Sequence, residues 1–130
     1  MMQIGPMSQS SSKNTTVLVV EDEPLIRMNA VDLLEDAGFT VLEAQHAEDA
    51  IELLKIRLDV RIIFTDIDMP GEMDGIKLAS FVRNRWPPIQ IIVTSGRMYP
   101  APGALPHGSM FLPKPYTGRQ IVAAIRDFCG

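Results

Sequence analysis

The chain has 130 residues, of which 46 % are hydrophobic and 22 % charged, with a net charge of -4 and a pI near 5.1. These values describe one globular domain large enough for its own core, and they offer no basic footprint for nucleic acid. The single cysteine, Cys129, has no partner for an internal disulfide, and no apolar run approaches the roughly 18 residues of a membrane span.

The first 15 residues are polar and Ser-rich and lack the apolar core of a signal peptide, so residues 1–15 read as a disordered or tag-like tail and 16–130 as the folded domain. Val17 to Val20 is a β-branched run suited to a strand buried on both faces. Pro24 fits the first turn of a helix carrying Ile26, Ala30, Leu33, Leu34 and Ala37, with Gly38 as its stop. Phe39 to Ala44 is a second strand, and Ala47, Ala50, Ile51, Leu54 and Leu58 form the next helical stripe. Val60 to Thr65 is a third strand. Asp74 caps a helix bearing Leu78, Ala79, Val82 and Trp86, which Pro87-Pro88 ends. Ile89 to Val93 is a fourth strand.

Gly96 to Ser109 breaks the rhythm. Its three prolines and three glycines exclude a regular helix, because each internal proline removes a donor and clashes with the preceding turn. Met110 to Leu112 is a short fifth strand, and Thr117-Gly118-Arg119-Gln120 is a capping box opening a last helix with Ile121, Val122, Ile125 and Phe128 inward. Alternating strands and helices imply a doubly wound, flavodoxin-like α/β fold: a five-stranded parallel sheet of order 2-1-3-4-5, its fourth helix shortened or replaced by a Pro/Gly-rich loop.

In that order Asp22 and Asp66 end neighbouring strands, Thr94 ends the next and Lys114 the one after. Open α/β sheets build their sites at such strand ends. Glu21, Asp22 and Asp66 would crowd negative charge into one crevice unless a cation neutralised it, and hard oxygen ligands of this kind suit Mg²⁺. Taken alone, Glu21-Asp22-Glu23 is an ordinary acidic helix start, Thr94 a β-branched strand residue and Lys114 a surface amine. Taken together, they form a phosphoryl site. Asp66 can act as a nucleophile toward phosphorus, and its transition state needs cations and donors at three equatorial oxygens. Mg²⁺, Lys114 and the Thr94 hydroxyl or a backbone N–H would supply them.

Other signals are weak. Asp66-Ile67-Asp68 does not continue as a calcium loop, since Pro70 and Lys77 stand at the fifth and twelfth positions. His46 and His107 have no ligand cluster around them, and neither a nucleophile triad nor a P-loop is present.

Five segments in order, Val17 to Pro24, Asp66 to Pro70, Met73 to Gly75, Ile92 to Gly96 and Phe111 to Pro115, together resemble the receiver domain of bacterial two-component response regulators. The resemblance covers Thr16 to about Phe128. It implies that a histidine kinase or histidine phosphotransfer protein donates its phosphoryl group to Asp66. It further implies Mg²⁺ held by Glu21, Asp22 and Asp66, directly or through water, with the Asp68 backbone carbonyl completing the protein ligands. Lys114 pairs with Asp66 and then with the phosphoryl group, the Lys114-Pro115 bond is cis, and Thr94 and the aromatic Phe111 act as the switch.

The protein would be a cytoplasmic, stand-alone phosphoacceptor switch rather than an enzyme, with at most self-phosphorylation from small donors and slow self-dephosphorylation. It would act on a downstream protein, with no direct nucleic-acid contact or membrane insertion; homodimerisation stays open. Three departures stand out. Gly71 lengthens the loop after Asp66, Phe111 replaces the common Tyr, and Gly96 to Ser109 stands where the family has a helix. Two other classes compete: a haloacid-dehalogenase-type phosphatase, with Asp66 as nucleophile and Asp68 as general acid, and a flavodoxin-like cofactor binder, which lacks a phosphate-cradling loop after its first strand.

Overall fold

The computed structural model describes residues 15–97 and 99–129; the tail expected over residues 1–15 lies outside the described residues, apart from Thr15. The chain alternates between five strands and four helices: β1 (Thr16–Val20), α1 (Pro24–Asp36), β2 (Thr40–Ala44), α2 (Ala47–Ile56), β3 (Val60–Asp66), α3 (Gly75–Arg85), β4 (Gln90–Ser95), β5 (Met110–Pro113) and α4 (Gly118–Cys129). All strand pairs are parallel, in the order β2-β1-β3-β4-β5. This is the order expected from the alternation.

The two-residue period of the strands divides the core into two layers. Leu18, Val20, Ile63, Ile91 and Val93 face α2 and α3, where Ala50, Leu54, Leu78 and Val82 meet them. Val17, Val19, Ile62, Phe64 and Ile92 face α1 and α4, where Ala30, Leu34, Ile121 and Ile125 meet them. Because both faces are covered, every residue of β1 is buried. Phe64, Leu18, Leu34 and Ile63 are among the largest fully buried side chains, and each contributes about 1.5–3 kcal/mol by leaving water.

The end signals read from the sequence have physical counterparts. The Asp74 carboxylate accepts a hydrogen bond from the Lys77 N–H at 2.9 Å, capping α3. Thr117 and Gln120 form a reciprocal box: Thr117 N–H donates to Gln120 Oε1 at 2.8 Å, and Gln120 N–H donates to Thr117 Oγ1 at 3.1 Å. Four boundaries move at element ends. Helix α2 stops at Ile56, so Leu58 leaves the apolar stripe and is 87 % exposed. Trp86 follows α3 as its C-cap. Strands β3 and β4 run on through Asp66 and Ser95, which makes Asp66 and Thr94 members of the ladder rather than loop residues.

Among the described residues of 96–109 there is no helix. Turns closed by Ala104 N–H to Ala101 O (2.9 Å) and Ser109 N–H to Pro106 O (3.1 Å) take its place. Leu105 anchors the segment against the same core layer as Phe111, and the Tyr99 ring packs 5.2 Å from the Phe111 ring.

Candidate functional site

The register of the ladder assembles the site. Val20 pairs with Thr65, so Glu21 emerges beside Asp66. Asp66 pairs directly with Thr94, and Ser95 pairs with Pro113. One step further, Lys114 N–H donates to Ser95 O at 3.0 Å, which brings the amine into the row. The Lys114-Pro115 bond is cis, as the resemblance implied.

Glu21, Asp22 and Asp66 each offer a carboxylate oxygen, and these oxygens lie within 4.8 Å of one another. Glu21 and Asp66 are each 4 % exposed, while Asp22 is half-buried. Lys114 Nζ bridges two of the acids, at 3.1 Å from Glu21 Oε1 and 3.4 Å from Asp66 Oδ2. The nearer partner is thus Glu21, whereas the resemblance alone implied Asp66. At the site, two buried oxygens have no hydrogen-bond partner among the described residues: Asp66 Oδ1 and Thr94 Oγ1. Such atoms are costly to leave unmade, and here the two belong to directly paired residues of adjacent strands.

Electrostatics follow from this crowding. Burial pushes the Asp66 carboxyl above its ordinary range, opposed by Lys114 and the Asp68 N–H and reinforced by the Asp68 carboxylate. Burial likewise raises Glu21, with the Glu23 N–H and Lys114 opposing and Asp66 adding to the rise. For Lys114, burial works against the ammonium, but Asp66 and Glu21 outweigh it and raise its pKa. Tyr116, packed edge-on against Phe64 at 5.4 Å, is pushed to about 12 by burial and by the charges of Glu21 and Asp66.

The donor set fits a hard divalent cation: three converging carboxylates, two of them raised by burial first, with Asp66 adding to the rise of Glu21 and Asp68 to that of Asp66. This gives a pH prediction. A carboxyl whose folded pKa is raised takes up its proton earlier in the native than in the unfolded state. Stability attributable to it therefore rises as pH falls through the raised value toward the unfolded one. Without divalent cation at pH 7.5, Asp66→Asn should melt about 4 °C higher than wild type, equivalent to about 1 kcal/mol. That advantage should vanish as the acidic window is crossed; thermal unfolding at several pH values measures it. A variant no more stable than wild type at pH 7.5 would contradict this picture of the crevice.

Four residues at the site carried no strong sequence signal for their roles. Ser95, 2 % exposed, donates through Oγ to Asp68 Oδ2 at 2.8 Å and accepts from the Arg97 N–H at 3.2 Å. A hydroxyl following Thr94 at a strand end was its one clue. Tyr116 reads as a loop aromatic until its ring meets Phe64. Arg27 lies on the polar side of the α1 stripe, yet its guanidinium reaches the Glu21 carbonyl. Gly75 begins α3 directly against Asp66: a Cβ there would collide with the Asp66 carbonyl oxygen and come within 2.7 Å of Ile67 Cα. The loop between them is the long one expected, and Gly71 takes a φ of 100° within it. His46 lies at the start of α2 and His107 is exposed, both outside the acid cluster.

The carboxyl edge of the five-stranded parallel sheet thus carries three converging carboxylates, a lysine ammonium and a buried threonine hydroxyl. The family model for the response regulator receiver domain matches residues 17–126. The sensor kinase CckA of Brucella abortus is 36 % identical over 122 residues, which cover 89 % of this chain and 13 % of the kinase. A chemotaxis protein CheY homolog of Campylobacter jejuni is 32 % identical over 120 residues, covering 88 % of this chain and 92 % of the relative. The crystal structure of a response regulator receiver protein from Sinorhizobium medicae matches with a TM-score of 0.80 at 29 % identity, over 88 % of this chain and 93 % of that one.

The chain belongs to the response regulator receiver domain family and is a receiver domain of two-component phosphorelay systems. It spans 13 % of the kinase's length and nearly all of the chemotaxis homolog's. The haloacid-dehalogenase alternative finds no support in these matches. No described helix is long and apolar enough to cross a membrane.

Proposed function

We propose that this receiver accepts a phosphoryl group on Asp66 from a phosphohistidine, donated by a histidine kinase or histidine phosphotransfer protein in the cytoplasm, and thereby changes its binding to another protein. The observation that carries the reading is the row of Glu21, Asp22, Asp66, Thr94 and Lys114, in which Glu21, Asp66 and Thr94 are buried and Asp66 and Thr94 each have an unpartnered oxygen. Asp66 attacks phosphorus through a carboxylate oxygen, the phosphorus–nitrogen bond to the donor imidazole breaks, and the histidine leaves with a proton. Lys114 turns its ammonium from Glu21 and Asp66 toward a phosphoryl oxygen, and the Thr94 hydroxyl donates to another. Glu21, Asp22 and Asp66, directly or through water, with the Asp68 backbone carbonyl, would hold Mg²⁺, which would supply neutralising charge at the transferring group. Exposure to acetyl phosphate with Mg²⁺ tests the reading: one phosphoryl group per chain is expected.

Thr94 and Phe111 form the switch in this reading. Phe111 is half-buried against the core layer that includes Ile91 and Val93 of β4, and its ring packs against Tyr99, so its movement would be transmitted to the Pro/Gly-rich segment. The donor docks beside the acceptor. Leu25 and Met28 on α1 are 78 % and 58 % exposed, and a groove of about 330 Å³ lined by Leu25, Ile26, Pro115 and Tyr116 adjoins Lys114. Leu25→Glu should slow transfer from a phosphohistidine donor at least about tenfold, the loss expected at a central apolar contact, while labelling by acetyl phosphate stays at the wild-type rate. Equal slowing with both donors would place Leu25 in the fold rather than the docking surface.

A further inference from the structure

Every polar atom of Glu21 has a partner. Its N–H donates to Ala44 O at 3.1 Å, its carboxylate accepts from Lys114 Nζ and from the Glu23 N–H, each at 3.1 Å, and its carbonyl accepts from Arg27 Nη1 at 2.8 Å. Arg27 is itself aimed by β2, since its Nε donates to Glu43 Oε1 at 3.1 Å, and its side chain is only 14 % exposed. The end of β2 therefore holds the Glu21 main chain from both sides, directly through Ala44 and indirectly through the Glu43–Arg27 pair. The peptide group is planar, so fixing the Glu21 carbonyl also fixes the plane that carries the Asp22 nitrogen. That plane places the Asp22 Cα, the point from which its carboxylate leaves the backbone.

We propose that Arg27 is a positioning residue for the acid cluster: its guanidinium, oriented by Glu43, locks the Glu21–Asp22 peptide so that the carboxylates of Glu21, Asp22 and Asp66 converge on one divalent cation. The inference rests on the reading of these acids as a Mg²⁺ site. Neither residue is a ligand, and arginine suits the role because its planar fork serves two acceptors at once, which a lysine ammonium on a flexible stem does not reproduce.

Charge and position make opposite forecasts. Arg27 is a cation beside an acidic crevice, so by Coulomb repulsion alone its removal would tighten Mg²⁺ binding. As a positioning residue, its removal weakens binding. The experiment is an amide NMR titration with Mg²⁺ alone, following Glu21 to Glu23, on wild type, Arg27→Met, Arg27→Lys and Glu43→Gln, each held well below its melting temperature. Arg27→Met should weaken Mg²⁺ binding about tenfold, the usual loss when a group that orients a metal ligand is removed. Arg27→Lys, with its charge intact, should still lose several-fold, and Glu43→Gln, which keeps an acceptor for Nε, should lose least. Wild-type or tighter affinity in Arg27→Met overturns the inference. Should that variant fail to fold, wild-type affinity in both Arg27→Lys and Glu43→Gln overturns it. A wild-type chain that shows no Mg²⁺ response refutes the metal site itself, a failure distinct from that of Arg27.

Discussion

Asp66→Asn should take up no phosphoryl group from acetyl phosphate and Mg²⁺ under conditions in which the wild-type chain is expected to take up one. In the proposed reaction the carboxylate oxygen is the nucleophile: it would form a bond to phosphorus as the bond to acetate breaks, and an amide oxygen at the same place has neither the charge nor the basicity to do so. A loss of at least about 10³-fold in labelling rate is expected, the scale on which removal of a covalent nucleophile acts. Intact-mass spectrometry of both chains after incubation reads the result.

The variant should remain folded, since Lys114 keeps its closer contact, 3.1 Å to Glu21, when the 3.4 Å contact to Asp66 loses its charge. The stability gain expected for Asp66→Asn at pH 7.5 separates a folded, unreactive chain from a misfolded one. Undiminished labelling of Asp66→Asn would move the acceptor elsewhere and end the reading of this site. Continuous release of inorganic phosphate from a generic phosphoester by wild type, many turnovers per chain, would restore the phosphatase alternative.

The second large effect is expected at a residue that itself carries no charge. Gly75→Val should cost at least about 3 kcal/mol in a denaturant titration, at the upper end of what overpacking costs. The reason is the kind of neighbour. A Cβ at this position meets the Asp66 carbonyl oxygen, the Asp66 carbonyl carbon at 2.7 Å and Ile67 Cα at 2.7 Å, all backbone. A flexible side chain could swing away, but these atoms belong to the end of β3 and are tied by Ile67 N–H to Thr94 O at 2.9 Å and by Gly75 N–H to Ile67 O at 3.0 Å.

Relief therefore comes only by pushing Asp66 or the start of α3 out of place. The same variant should bind Mg²⁺ at least about tenfold more weakly, even at temperatures where it is fully folded. Gly75→Ala, with the same Cβ and nothing beyond it, should show most of both effects. A Gly75→Ala chain with wild-type stability and metal affinity would mean that the contact relaxes without cost.

The placement of Asp66, Thr94 and Lys114 at successive strand ends was legible before any coordinates, because strands of a doubly wound sheet announce themselves as apolar runs and their ends as the first polar residues after them. Val17 to Val20 and Ile62 to Phe64 are such runs, and the structure buries all of them. Helix starts were legible for a related reason: a cap acts within three residues, so Asp74 with Lys77 and Thr117 with Gln120 carry their own evidence. The end of α2 was harder. Leu58 continues the helical period of Leu54, but the helix stops at Ile56 and the next residues turn into β3, so an apolar residue was left at the surface.

From the residues alone, then, came the element order, the strand order, the absence of a regular helix between β4 and β5, and the five groups that meet at the carboxyl edge. Folding in three dimensions decided which groups touch: Lys114 nearer Glu21 than Asp66, Ser95 on Asp68, Arg27 on the Glu21 carbonyl, and Gly75 against the backbone of Asp66. The division has a physical cause. Burial and capping are local free energies that each short segment expresses by itself, and so they leave a periodic trace in the chain. A contact between residues 21 and 114 depends on the register of every intervening strand pair and on side-chain reach of a few ångströms, quantities that exist only once the sheet has closed.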